Sequence, residues 1–390
     1  YCSDGSFDYY DFRSDGERRT SDALDIALKG RAQWGASTHH FNAGVLLTRH
    51  VARFGRQAFN PVGPGTIDGR TAVPADPTLF DASTNRSERS SELHLQDQLA
   101  LSPRRSVWGG LRHTRLQRDS AVTDGSNATA YSQSFTTPWL ALSWAFDAAT
   151  LAYASTGQGI ESDVAPNRTI YTNAGQALPA LKSRQIELGV KHAGDALDWR
   201  VALFDMRRPT AADFHADDGA PAFGDCTDAD PCLRRSDGVA RHRGIEAETE
   251  WRAGALSLRA SALLLRARRE GATDAAINGL RPTNVPARSL KLQAAYNVAA
   301  LPGLALVAFV THEGQRMVLP DNSVATHGWT RIDLGARWRQ RLPAQPLVWR
   351  LGIDNLADRR AWQEAPYQFG HAYLYPLQPR TLHASLTIAW

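Results

Sequence analysis

The residues of this 390-residue chain best suited to chemistry are its three cysteines, its twelve histidines and a group of aspartates. Cys226 and Cys232 stand close together in a segment that also holds Asp213, Asp217, Asp218, Asp225, Asp228 and Asp230. A zinc site would want more Cys or His at tighter spacing. A disulfide across a short surface loop accounts for the pair better, and implies an oxidising compartment. Carboxylates suit a hard cation such as Ca²⁺, but these lack a fixed ligand rhythm, so a solvated acidic loop is the expectation. The histidines are dispersed. His39 and His40 are adjacent at a strand start, so they point to opposite faces and cannot chelate one metal together. Arg241-His-Arg243 reads as the start of a strand at a membrane rim. No Ser or Cys sits in a nucleophile-elbow context with a base beside it. The expectation is therefore no catalytic residue, no metal site and no cofactor in a chain that is not an enzyme.

The elements carrying these residues repeat one pattern. In Ala255–Leu264, Leu256, Leu258, Ala260, Ala262 and Leu264 share one face, while Ser257, Arg259 and Ser261 share the other. Strict period two means strand, since successive side chains point to opposite faces. Ile332, Leu334, Ala336 and Trp338 likewise oppose Arg331, Asp333, Arg337 and Arg339, and Leu382 to Ile388 alternate with Thr381, His383, Ser385 and Thr387. Segments of ten to fifteen residues recur in this way, about fifteen of them, each about long enough to cross an apolar band tilted. Charged residues inside such strands need water on one face; the apolar face needs lipid or a second sheet. Leu256, Leu258, Leu334, Trp338, Leu351, Ile353, Leu386 and Ile388 are expected to point outward, with Arg259, Arg331, Arg350 and His383 inward.

The connections choose lipid. Short turns near 35–37, 102–105, 147–149, 194–195, 253–254, 299–302 and 341–345 alternate with long polar loops near 55–87, 120–130, 158–182, 209–240, 270–287, 315–328 and 357–377. Short on one side and long on the other is the pattern of an outer-membrane barrel. The mean hydropathy of −0.38 does not oppose it, because lumen residues dilute lipid-facing ones. A net charge of +4 raises nucleic acid as a partner, but the arginines are scattered and no nucleic-acid motif accompanies them, so none is expected. The chain opens Tyr-Cys-Ser-Asp, with no Met, charged n-region or apolar h-region. With an odd strand count and no partner for Cys2, upstream sequence is expected to be missing. Residues 1–20 then form the tail of an extracellular loop and 21–390 the C-terminal part of a barrel.

The last forty-odd residues sharpen this. Gly352-Ile-Asp-Asn-Leu-Ala-Asp-Arg-Arg360, an aromatic-rich loop, Pro379-Arg-Thr381 and an alternating strand ending on Trp390 resemble the C-terminus of TonB-dependent outer-membrane receptors. Leu181-Lys-Ser-Arg-Gln-Ile-Glu-Leu-Gly-Val-Lys191 and Asn284-Val-Pro286 resemble two internal passages of that family, and the 8–19 region resembles its siderophore-receptor members. The resemblance implies an all-β fold: a transmembrane antiparallel β-barrel, here incomplete at about 15 of about 22 strands, with the plug domain absent. It implies uptake of a ferric siderophore through the outer membrane of a Gram-negative bacterium. The partners would be outer-membrane lipid, the TonB energy-coupling system through a missing N-terminal region, and the barrel-assembly machinery through the C-terminal strand. Trp390 stands where the family's assembly signal usually has Phe. A passive porin-like channel, or a receptor for another chelate such as cobalamin, is the alternative. Family members capture chelates with loop aromatics and Arg, which offer flat surface and charge. Tyr9, Tyr10, Phe12, Arg13, Tyr171, Trp362, Tyr367, Phe369 and Tyr373 are the candidates here, whereas Tyr153 and Trp329, near strand ends, are assigned to the interfacial aromatic girdle.

Overall fold

The computed structural model describes residues 5–35, 37–66, 74–80, 82–222, 226–341, 346–368 and 371–388. Among the described residues fifteen strands follow one another in chain order in one antiparallel sheet, to which the two-residue strand Pro221–Ala222 adds a sixteenth, off that path, against Asp213 and Phe214. They are β1 (Arg18–Trp34), β2 (Ser37–Arg53), β3 (Thr84–Ser102), β4 (Arg105–Val122), β5 (Thr129–Ala145), β6 (Thr150–Glu161), β7 (Leu181–Ala193), β8 (Leu197–His215), β9 (Cys232–Ala253), β10 (Leu256–Glu270), β11 (Arg288–Asn297), β12 (Leu304–Glu313), β13 (Trp329–Arg341), β14 (Pro346–Asp354) and β15 (Thr381–Ile388). Among the described residues the only helix is one 3₁₀ turn, Ala275–Ile277, and no helix is long and apolar enough to cross a membrane, which says nothing of a β-barrel.

Connections of two to six residues alternate with connections of mostly fifteen to thirty, as the sequence pattern predicts. The exception is β4 to β5, where six residues, 123–128, separate the two strands. Several strands outrun the expected ten to fifteen residues: β1 and β2 have 17 each and β9 has 22. The ladders do not stop at a membrane rim; they rise beyond it. Arg241-His-Arg243 accordingly lies within β9 and does not begin it.

Register carries one apolar face from strand to strand. Leu188 is paired with Leu203, Leu203 with Ile245, and Ile245 with Leu264. All four are 44–59% exposed, so no protein layer covers them. Leu334, Trp338, Leu351, Leu386 and Ile388 are exposed on the same face, with Leu258 opposite the exposed Trp251. The other face lines cavities built from adjacent strands, which places it on the concave side. Arg259, Arg350 and His383 line one of them. Arg331 lies on the same polar face, bonded to Asp333, which lines that cavity. An uncovered apolar exterior around a polar interior is the solvation pattern of a barrel wall in lipid.

The interfacial aromatics differ from those expected. Tyr153 is on the concave face: its hydroxyl donates to Glu187 at 2.5 Å and the Lys191 ammonium sits 4.7 Å over its ring. Trp329, 5% exposed, is opposite Glu313 and also turns inward. The girdle is formed instead by Trp144, Trp199, Trp251, Tyr296, Trp338 and Trp349, all on the apolar face near the short turns. Trp338 and Trp349 are direct cross-strand partners. Amphipathic rings at the level of the head groups fit this placement.

Most side chains below 2% exposure, among them Phe214, Asn355 and Cys232, lie at the long-loop end. The packed part of the molecule is therefore the loop crown and not the sheet. Among the described residues no ladder joins β1 to β15.

Candidate functional site

The crown has three parts. The first is a ribbon in which Ser6–Ser14 pairs antiparallel with Gln57–Thr66. Alternation splits the candidates on it. Tyr10 and Phe12 share one face with Phe59: the Tyr10 and Phe59 rings stack at 4.8 Å, and Phe12 lies edge-on to Phe59 at 6.5 Å. All three are 49–62% exposed. Tyr9 turns to the other face, where its ring lies so close over Gly65 that a Cβ there would be 2.1 Å away. That face is packed: Ala58 and Asn60 are buried, and the Asn60 amide donates to the carbonyls of Asp76 and Thr78. Arg13 is held by Asp15 at 2.9 Å.

The second part joins the β6–β7 and β8–β9 loops. Cys226 and Cys232 are disulfide-bonded, with Cα atoms 5.6 Å apart. Tyr171 packs against Cys232 and is 5% exposed. Its hydroxyl donates to Asp213 at 3.0 Å. Burial pushes the phenol up to about 12, and the neighbouring Asp213 carboxylate adds to the shift. Arg234 ties the same cluster, with ion pairs to Asp163 at 3.2 Å and Asp213 at 2.9 Å. Asn173 closes it by exchanging two hydrogen bonds with the Arg234 backbone. Tyr171 is therefore a pin between loops, and its ring is not available for capture.

The third part locks the last three long loops together through asparagines in left-handed backbone, a region Asn tolerates better than other non-glycine residues. Asn284 (φ 59°) donates its backbone N–H to the Met317 carbonyl, and its side-chain oxygen accepts from the N–H of Ala365 at 2.8 Å. Asn322 (φ 60°) exchanges two hydrogen bonds with the backbone of Arg281. Buried Arg316 donates to Glu313 and to the Gln363 carbonyl. Asn355 (φ 51°) is fully buried; its side chain bonds the backbone of Arg359 twice and the Gln378 carbonyl once, and its N–H donates to Asp333. In this part Trp362 is half-buried in a short strand paired with Tyr375–Pro376, and Tyr373 is 42% exposed. Phe369, Trp390 and Cys2 lie outside the described residues.

The second and third parts enclose a cavity of about 470 Å³, within the range that takes small ligands. Asp213, Arg234, Asp237, Arg269 and Tyr367 line it. Arg234 is neutralised by its two aspartates. Asp237 is buried and accepts from the N–H of Thr273 at 2.8 Å. Arg269 forms no ion pair among the described residues, with Asp237 the carboxylate its charge feels. Among the eight loop candidates that are described, only Tyr367 lines this cavity; Arg234 and Arg269 were missed. Both sit in strands whose alternation marks them as ordinary wall residues, and only the loop packing above shows that they border a pocket.

Below it, a second cavity of about 780 Å³ runs along the concave wall between Lys191, Arg200, Glu248, Glu250, Arg259 and Lys291. Its charges are largely paired across strands, Arg200 with Glu248 at 2.6 Å and Arg259 with Glu250 at 3.0 Å. Among the described residues no three His, Cys, Asp or Glu side chains are grouped to hold a metal ion. His39 is bonded to Asp97 at 2.6 Å, away from His40.

Comparison with known proteins agrees with this architecture. The chain is 26% identical over 381 residues to the ferrichrome receptor FcuA of Yersinia enterocolitica, covering 93% of this chain and 47% of that one. The fold is similar to that of BauA, the ferric preacinetobactin receptor of Acinetobacter baumannii, with a TM-score of 0.81 at 21% identity over 99% of this chain and 56% of that one. It is also similar to Fiu, the ferric-catecholate import receptor from K12 E. coli, with a TM-score of 0.74 at 17% identity over 95% of this chain and 55% of that one. The chain thus spans about half the length of the proteins it matches. The model of the "TonB dependent receptor-like, beta-barrel" family matches residues 2–356, and the chain belongs to that family.

Proposed function

We propose that this chain forms part of an outer-membrane receptor that imports ferric siderophores under TonB control. One observation carries the reading: a lipid-belted sheet is topped by loops locked into a crown around a ligand-sized cavity. An apolar exterior supports a setting in lipid, and cross-braced loops hold a recognition surface in one shape, which lowers the ordering cost of binding. Tyr367 supplies a flat face and Arg269 an uncommitted guanidinium, a combination suited to a metal chelate with aromatic or anionic arms. The exposed rings of Tyr10, Phe12 and Phe59 offer a first contact surface further out. Such a receptor works in the outer membrane of a Gram-negative bacterium, draws on TonB coupling and reaches its place through the barrel-assembly machinery. It binds and moves its cargo without chemistry.

Ferrichrome, the cargo named for the FcuA relative, is the first ligand to test. Intrinsic fluorescence of the purified protein should quench on titration with ferrichrome. Tyr367→Ala and Arg269→Gln should each raise the Kd by about tenfold, the loss of one good contact. Absence of quenching by ferrichrome and by ferric catecholates would overturn the reading.

A further inference from the structure

The crown cavity carries an excess of negative charge that the importer reading leaves unused. Its wall holds Asp213, Asp237 and Asp274 against Arg234 and Arg269. Arg234 is shared between Asp213 and Asp163. With Asp163 counted, four carboxylates meet two guanidinium groups, and the site has two negative charges in excess. The connection from β8 to β9 adds to this field. Its Pro221 and Ala222 line the cavity, and residues 216–231 contain Asp217, Asp218, Asp225, Asp228 and Asp230 with no Lys or Arg. Asp230 is bonded to His215 at 2.9 Å.

Two of the cavity carboxylates are held in place without a cation of their own. Asp237, 8% exposed, accepts from the Thr273 N–H through Oδ1. Asp274, the next residue after Thr273, accepts from the Ala276 N–H, also through Oδ1. Thr273 thus brings the two carboxylates close together on the wall. Among the described residues neither forms an ion pair, and the second oxygen of each is uncommitted. A carboxylate as buried as Asp237 is costly without a cation beside it. Arg269 supplies one positive charge for the pair, which leaves a place for one more.

We propose that the cavity selects a ferric chelate that carries a protonated amine, with the ammonium lodged at Asp237 and Asp274, and that it disfavours polyanionic chelates. The inference rests on the importer reading and names the charge of its cargo. A ferric trihydroxamate core is neutral, because three hydroxamate anions balance Fe³⁺. Its oxygen-rich edge suits the Arg269 guanidinium and the Tyr367 ring, while an ammonium on one arm can donate to both carboxylates. A ferric tris-catecholate carries three negative charges and would bring them against an acidic wall. The acidic connection from β8 to β9 draws a cationic chelate toward the crown and slows an anionic one.

The test is fluorescence quenching of the whole chain in neutral detergent at low ionic strength, with three probes. They are the ferric complex of a linear trihydroxamate ending in a primary ammonium, the same complex with that amine acetylated, and a ferric tris-catecholate. The ammonium form should bind about tenfold tighter than the acetylated form, the worth of one charge-assisted hydrogen bond. The tris-catecholate should bind weakest, and added salt should narrow the differences. Asp237→Asn/Asp274→Asn should bring the two hydroxamates to equal affinity and tighten the tris-catecholate. Asn keeps an acceptor oxygen at both positions and caps a helix as Asp does, and the comparison of the two hydroxamates on the parent needs no variant. Equal binding of the ammonium and acetylated forms by the parent would overturn the proposal. So would a preference that survives in the double variant, or a tris-catecholate that binds tightest. In each of those cases chelates still bind and the importer reading stands, whereas quenching by none of the probes and not by ferrichrome would overturn both.

Discussion

At the scale of single residues, the crown depends on a few side chains that satisfy backbone groups of loops other than their own. Asn355 is the clearest. Its amide closes the last long loop from both ends, at Arg359 and Gln378, while its left-handed backbone turns the chain out of β14. Asn355→Ala should lower stability by roughly 2–4 kcal/mol, since buried backbone groups lose partners and Ala resists positive φ. Asn355→Gly keeps the turn and should recover about 1 kcal/mol of that. Thermal melts in detergent check both, and equal melting of the two variants would mean that φ is not the issue. Tyr171 makes a pH prediction. A phenol raised from 10 to about 12 holds its proton more tightly in the folded crown, so its contribution is complete below about pH 10 and is lost as pH climbs through 12. Tyr171→Phe should abolish the part of alkaline loosening that falls in that window, seen as the difference between the two melting profiles. The sequence showed the motifs around Asn284 and Asn355 but not their work. Positive φ and a hydrogen bond to a loop 81 residues away leave no local signature. Tyr171 looked like a capture residue because its burial is created by the disulfide loop folding over it.

At the scale of elements, period two was enough to assign strands, connections and facing, because each strand's apolar set meets lipid on one side and water on the other. It failed where position in a strand stood in for parity. Tyr153 and Trp329 lie near strand ends, yet an odd or even offset, not distance from the end, decides which face an aromatic joins. Strand lengths were also underread, since above the membrane both faces meet water and the alternation that marks a strand fades. A paired substitution tests the facing. Leu203→Arg places a charge at mid-belt on the exterior and should cost about 2–4 kcal/mol, whereas Ser261→Arg on the concave wall should cost less than about 1 kcal/mol. The heat-modifiable gel shift of the membrane-inserted protein is the readout. A larger loss for Ser261→Arg than for Leu203→Arg would reverse the assignment of inside and outside.

At the scale of the whole molecule, the order of strands leaves β1 and β15 with one neighbour each among the described residues. β1 pairs with β2 through all of Arg18–Trp34, and its free side presents backbone along that whole length. Its outward side chains Leu24, Ile26, Leu28 and Trp34 are 54–82% exposed. An edge of this kind is a template for pairing, and in lipid each unpaired N–H or C=O costs several kcal/mol. The distribution of strength along the sheet follows. Interior strands such as β9 give amide protons to both neighbours, whereas on β1 and β15 alternate amides face inward to a ladder and outward to none. Deuterium exchange of this chain in detergent, resolved by residue, should therefore alternate along Arg18–Trp34 and along Thr381–Ile388, with every second amide fast, while β8 to β10 stay uniformly slow. Adding a strand-forming partner that fills the edge should slow the fast set and leave the slow set unchanged. Uniformly slow exchange along both strands without any addition would mean that their outer sides are already paired, and the sheet would then be a closed ring in solution.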